Sequence, residues 1–215
     1  MPEAAHAPES QNVKDAVAFV DGQNLFYAVK SAFGYTYPNY DVLKLARHLC
    51  TRMGWNLKQV RFYTGVPAEK DNPTWHRFWQ HKLLVMSRQG VHVVTRPLRY
   101  RPRPIQLHDG TLSNEMVGTE KGIDVRLALD MTRIAFLEAT PVLLVFSQDQ
   151  DLAEAAEEVE EMARREKRAV EIHCAFPTSP TAQNTRGLRL THWLPFDKPT
   201  YDACLDPRPY RDPPR

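Results

Sequence analysis

The stretch PVLLVFSQDQDLAEAAEEVEEMARREKR, Pro141 to Arg168, decides the fold. Its opening apolar run has the length and unbroken hydrophobicity of a strand buried on both faces, as in a parallel sheet. From Asp151 the pattern becomes helical. Acids come first (Glu154, Glu157, Glu158, Glu160, Glu161) and bases last (Arg164, Arg165, Lys167, Arg168), which suits the helix dipole and a solvated face. Between strand and helix stand Asp149 and Asp151. Two like charges there repel unless something positive or hydrogen-bonded lies nearby.

The same alternation of strand and helix runs through the chain. AVAFVD (from Ala16), QVRFYTG (from Gln59), GVHVVT (from Gly90), PVLLVFS and AVEIHC (from Ala169) read as strands, with THWLPF (from Thr191) as a short edge strand. YDVLKLARHLCTRM puts Val42, Leu45, Ala46 and Leu49 on one helical face, with Gly54 as a stop. NPTWHRFWQHKLLVMSRQG aligns Trp75, Phe78, Trp79 and Met86 along a stripe, and that spacing predicts core packing. KGIDVRLALDMTRIAFL is a further helix. Strands alternating with helices make βαβ units in a layered α/β sheet, whose ligands bind beyond the carboxyl ends of the strands.

The 215 residues fit one domain at about 15–198, between a small, polar lead (1–14) expected to be disordered and a Pro- and Arg-rich tail (199–215) whose end, DPRPYRDPPR from Asp206, is expected to be extended or disordered. A net charge of +2 does not announce a nucleic-acid binder, so any basic footprint must be local. Cys50, Cys174 and Cys204 are far apart and show no zinc spacing; free thiols fit a reducing cytoplasm. No stretch is apolar for long enough to span a bilayer, so no membrane partner is expected.

Asp21 ends the first strand as Asp149 and Asp151 follow the fourth. If both strands are central and parallel, their ends lie about 4.8 Å apart and the three acids share a crevice. Asp124, in the first turn of the helix from Lys121, adds a fourth; Asp130, six residues on, points elsewhere and can pair with Arg126 or Arg133. Each acid alone fits a helix cap or a dipole partner. Capping, however, needs one acid per helix and does not need three helices to start at one crevice. The expected division has Asp149 pointing into the site and Asp151 capping the next helix while facing the same crevice. Hard oxygen ligands without His or Cys suit Mg²⁺ or Mn²⁺, and phosphoryl transfer to water is the natural reaction.

VAFVDGQNL, TEKGIDVRLALDM and VLLVFSQDQDL, in that order, resemble the NYN-domain family of ribonucleases, relatives of the PIN-like nucleases. The likeness runs from about Ala16 to Phe196. It rests on D-x-x-N at Asp21 and Asn24, K-G-x-D at Lys121 and Asp124, and S-x-D-x-D at Ser147, Asp149 and Asp151. The resemblance implies a Rossmann-like three-layer α/β/α sandwich with a mainly parallel sheet of about five or six strands (PIN-like), and a Mg²⁺ or Mn²⁺ site that cuts RNA. Asp21, Asp124, Asp149 and Asp151 fall on the family's acidic positions, and Asn24 and Ser147 on its supporting polar ones. Where the family commonly reads S-G-D-S-D-F, this chain has Gln148, Gln150 and Leu152.

RNA contacts are sought in TRPLRYRPRP (Thr95 to Pro104), where Arg99, Arg101 and Arg103 hold phosphates and Tyr100 stacks on an unpaired base; the alternative is a solvated edge hairpin. A turn at HDGT (His108 to Thr111) then returns this basic flap towards Lys121, which offsets phosphate charge. The expected substrate is RNA that is single-stranded or structured with unpaired bases. Glu154 and Glu158 are candidates for outer support of the metal. A non-catalytic RNA- or protein-binding module on the same fold is the rival reading. A small-molecule phosphohydrolase ranks third, since no phosphate-cradling glycine loop is present.

Overall fold

The computed structural model describes residues 13–106, 111–137 and 141–210. The residues expected to turn at His108 to Gly110, most of the expected N-terminal lead and the last five residues lie outside these bounds. Six strands form one sheet, β1 (Asp15–Asp21), β2 (Asn56–Val66), β3 (His92–Pro97), β6 (Val142–Phe146), β7 (Glu171–Pro177) and β8 (His192–Phe196), in the order β3-β2-β1-β6-β7-β8. Every neighbouring pair is parallel. A separate antiparallel ribbon, β4 (Arg99–Gln106) with β5 (Leu112–Thr119), stands between β3 and the next helix. The fold is the α/β sandwich that the alternating pattern predicts.

Strand residues alternate between two cores with period two. Ala16, Ala18 and Val20 of β1 and Val142, Leu144 and Phe146 of β6 pack with α1 (Gly22–Phe33), α2 (Val42–Met53) and α3 (Pro73–Arg88). Val17, Phe19, Leu143 and Val145 pack on the other face with α4 (Ile123–Leu137) and α5 (Ala153–Arg165). Both faces being covered explains why these strands read as continuous apolar runs. Polar side chains set the helix starts: Asp21, Asp41 and Asn72 each accept a backbone N–H from the first turn of α1, α2 and α3. Leu45, Ala46, Leu49, Phe78, Trp79 and Met86 are buried as their spacing predicts.

The C-terminal segment packs on the domain. Residues 198–202 form α6 (Lys198–Asp202), and Tyr201 and Tyr210 are buried. The Pro- and Arg-rich composition conceals two large side chains with apolar surface to cover. Lys82 of α3, wholly buried, anchors this segment: its Nζ donates to the Tyr40 carbonyl at 2.8 Å and pairs with Asp206 at 3.4 Å. Burial pulls its pKa down to about 8. Among the described residues, no helix is long and apolar enough to cross a membrane.

Candidate active site

From β1 the sheet grows one way through β2 and β3, and from β6 the other way through β7 and β8. The C-terminal ends of β1 and β6 therefore flank the switch point, where a crevice forms in such sheets. Val20 pairs with Phe146 across this seam. Asp21 follows the first, and Ser147 the second. A cleft of about 520 Å³ opens there, lined by Asp21, Asn24, Glu120, Lys121, Asp124 and Asp149 among others.

Hydrogen bonds join the two strand ends. Ser147 Oγ donates to Asp21 Oδ2 at 3.3 Å and accepts the Asp149 N–H at 3.2 Å. Asn24 Oδ1 accepts the Gln148 N–H at 2.8 Å, while the Asn24 N–H donates to Asp21 Oδ1 at 3.0 Å. Asn24 and Ser147 thus fix the turns that carry Asp21 and Asp149. Gly122, at φ 77, supplies the left-handed step before α4, so that Asp124 enters in the first helical turn.

Glu120, just before the K-G-x-D motif, is the acid that sequence reasoning passed over. Its carboxylate accepts the Gly65 N–H and, at 3.5 Å, the Thr64 hydroxyl, which holds it over the end of β2. Its signal was adjacency to Lys121; its position over β2 depends on the tertiary fold. Burial raises the Glu120 carboxyl to about 7, with the charges of Asp21 and Asp124 adding to the effect. Burial likewise raises Asp21 to about 6, and Asp149 contributes. Lys121 lines the cleft, but its ammonium has no ion-pair partner among the described residues. Among the described residues the four acids of the cleft thus have Lys121 beside them but no ion pair with it.

Asp151 lies elsewhere. It is exposed and lines a neighbouring groove with Asp124, Glu154 and Glu158. The expected capping role is reversed: Asp149 caps the 3₁₀ turn Gln150–Leu152, accepting the Asp151 N–H at 3.1 Å, and α5 has no side-chain cap. The turn interposed between strand and helix moves Asp151 out of the capping position and away from the crevice. Asp130 is buried on Arg61, Tyr63 and Arg126, at 2.9, 2.9 and 3.1 Å, as a structural ion network.

Arg99, Arg101 and Arg103 are exposed along β4, and none lines the cleft. They alternate with Tyr100, so arginines and ring occupy opposite faces of the ribbon. Gln148 and Gln150 are tethers. Gln148 Nε2 donates to the Asn184 and Arg186 carbonyls at 3.2 and 2.8 Å, and Gln150 Nε2 to that of Gly187 at 3.2 Å. Among the described residues the non-glycine positions with positive φ are Lys167 and Leu190, so position 148 makes no demand for glycine here.

Among the described residues, no three His, Cys, Asp or Glu side chains stand close enough to enclose a metal ion. Mg²⁺ does not need such a cage: it keeps several waters and binds through one or two carboxylates plus substrate phosphates. Hard oxygens and the lack of His or Cys in the lining fit an ion of that kind.

Comparison with known proteins supports the same fold. A family profile described as NYN domain matches residues 16–183. Among solved structures, the chain is similar to a protein of unknown function from Vibrio parahaemolyticus RIMD 2210633. The identity is 18% and the TM-score 0.53, over 92% of this chain and 99% of that one, a likeness of fold alone. It is also similar to Acinetobacter baumannii MurG, at 12% identity and a TM-score of 0.33 over 85% of this chain and 45% of that one, too slight to carry an argument. No curated protein matches.

Proposed function

The chain belongs to the NYN-domain family of nuclease-like, PIN-related proteins, and on that premise we propose that it is a metal-dependent endoribonuclease. The observation that carries this reading is the meeting of Asp21, Asp149, Asp124 and Glu120 on one cleft at the switch point of the sheet. Asp21 and Asp149 would hold Mg²⁺ or Mn²⁺, with Asp124 and Glu120 reaching it through water. A divalent cation bound there supplies a water of lowered pKa and offsets phosphodiester charge.

The protein's own groups position the reactants. Ser147 and Asn24 keep the Asp21 and Asp149 carboxylates at fixed angles to each other. Lys121, at the mouth, attracts a phosphate and stabilises charge that builds on it. Asp151, with Glu154 and Glu158, contributes negative potential from the adjoining groove. Arg99, Arg101 and Arg103 hold flanking phosphates of an RNA whose bases are unpaired. The cysteines are free and buried, which suits the cytoplasm as the compartment.

The test is cleavage of mixed RNA substrates by wild type and Asp21→Asn, with and without Mn²⁺. Metal-dependent cleavage by the wild type, lost in the variant, is the expected result. A second reading, a non-catalytic RNA-binding module, is favoured by the spacing that leaves no three acids, among the described residues, ready to enclose an ion. It predicts RNA binding by both proteins and cleavage by neither.

A further inference from the structure

Beside the acidic cleft lies a second pocket, of about 360 Å³, whose walls include Phe26 and Tyr27 of α1, Trp75 and Trp79 of α3, and Leu98 and Tyr100 at the ribbon. The two hollows are continuous: Gln23, Tyr27, Gly118 and Glu120 line both. We propose that this aromatic pocket seats one unstacked base of the RNA, next to the phosphate held in the acidic cleft. The proposal rests on the reading of that cleft as a phosphodiester site.

The pocket offers aromatic walls to a flat ring. Tyr100 pairs with Gly118 across the ribbon, and a Cβ built on Gly118 would stand 3.1 Å from both Leu98 Cδ1 and Tyr100 Cε1. The missing side chain thus lets the tyrosine ring and Leu98 close over the strand. Tyr27, 56% exposed and lining both hollows, is open to a ligand. Two helices and a ribbon bring aromatic surface from three directions, and every base offers a π-face to such surfaces regardless of sequence.

Polar groups are few and well placed to meet a base edge. The Gln23 side-chain amide, at the junction of the hollows, has no hydrogen-bond partner among the described residues. Asn72 Oδ1 is occupied by the Trp75 N–H at 3.1 Å, which leaves its NH₂ group to donate. A paired base stacked in a duplex cannot enter, so the pocket selects unpaired RNA. An aromatic side chain of a protein partner would fill the same walls, but the adjoining phosphate site favours a nucleotide.

The experiment compares two single-stranded ligands of equal length, an RNA hexanucleotide and its fully abasic ribose-phosphate counterpart. Binding is measured by fluorescence anisotropy in Ca²⁺, a hard cation that carboxylates bind and that offsets the charge of the cleft acids. Wild type is expected to prefer the base-bearing strand by about tenfold or more, the usual scale of base stacking on aromatic side chains. The double variant Tyr27→Ala/Tyr100→Ala should bind both strands equally, at the wild-type affinity for the abasic one. Tyr27→Phe/Tyr100→Phe should restore the preference, which separates stacking from damage to the fold. Equal binding of both strands by wild type would overturn the proposal and leave the pocket to a protein side chain. So would an unchanged preference in the double alanine variant. Cleavage in Mn²⁺ reports separately: cleavage without base preference removes the pocket and keeps the nuclease, and base preference without cleavage does the reverse.

Discussion

Ser147 Oγ donates to Asp21 Oδ2 across the seam between β1 and β6 at 3.3 Å. One hydroxyl cannot neutralise that carboxylate, and burial raises Asp21 to about 6 and Glu120 to about 7. In the unfolded chain both titrate near 4. Over the interval between, the native state holds more protons than the unfolded state, so stability falls as pH rises from about 4 to about 7.

Asp21→Asn removes one contributor to that fall and keeps the cap on α1, because Asn caps nearly as well as Asp. The variant is expected to be more stable than wild type by about 2–3 kcal/mol at pH 7.5, and nearly equal to it near pH 4. Urea denaturation at pH 4, 5.5 and 7.5 checks this. A stability difference that does not change with pH would show that Asp21 carries no buried charge.

Asp149 and Asp151 should separate on mutation. Asp149→Asn keeps the 3₁₀ cap and takes charge from the cleft, so cleavage should fall by about 100-fold or more, the scale of losing a group that stabilises the transition state. Asp151→Asn alters an exposed acid in the next groove and should lower cleavage no more than about threefold, the scale of a weakly screened surface charge. The Tm increase produced by Mn²⁺ should shrink in Asp149→Asn and persist in Asp151→Asn. In wild type that increase should be larger at pH 7.5 than at pH 5.5, where protons compete for Asp21 and Glu120. Equal cleavage by both variants and wild type at saturating Mn²⁺ would reject the nuclease role of the cleft.

The fold was legible because its determinants are local: continuous apolar runs for doubly covered strands, a period of 3.6 for the helices, and an acid or amide at the starts of α1, α2 and α3. Asp21, Asn24, Asp124 and Asp149 could be assigned to one crevice, with Ser147 buried against Asp21, because strand ends of a parallel sheet are adjacent by topology. Glu120 was not legible. Nothing in its neighbours says that it folds back onto the Gly65 N–H at the end of β2. The position of Asp151 turned on a single 3₁₀ turn, which hydrophobic periodicity does not encode. The packing of Tyr201 and Tyr210 was hidden by the prolines and arginines around them.

The ribbon arginines are predicted to act on affinity alone. Replacing Arg99, Arg101 and Arg103 by Ala removes three exposed charges that contact none of the cleft acids. For single-stranded RNA the slope of log K against log salt should become shallower by about 2, from three contacts at about 0.7 each. The Tm response to Mn²⁺ should be unchanged. Identical salt slopes for variant and wild type would assign the arginines to ordinary solvated surface.

Gln148 occupies a position where the family commonly has glycine, and Gln148→Gly is predicted to weaken this protein. Its Nε2 holds the carbonyls of Asn184 and Arg186, and the residue is 8% exposed, so deletion leaves two acceptors without their donor. The expected cost is about 1–3 kcal/mol, with some further loss from the freer glycine backbone. Loosening should concentrate at 184–189, since Gln150 holds the Gly187 carbonyl and the Arg189 N–H from the same turn. Hydrogen exchange should therefore accelerate there before it does in β6. Cleavage per folded molecule should not rise, because the Gln148 side chain points to that segment and its backbone N–H, which Asn24 holds, is kept in glycine. A Gln148→Gly protein as stable as wild type, with faster cleavage, would mean that the glutamine obstructs the cleft rather than bracing its rim.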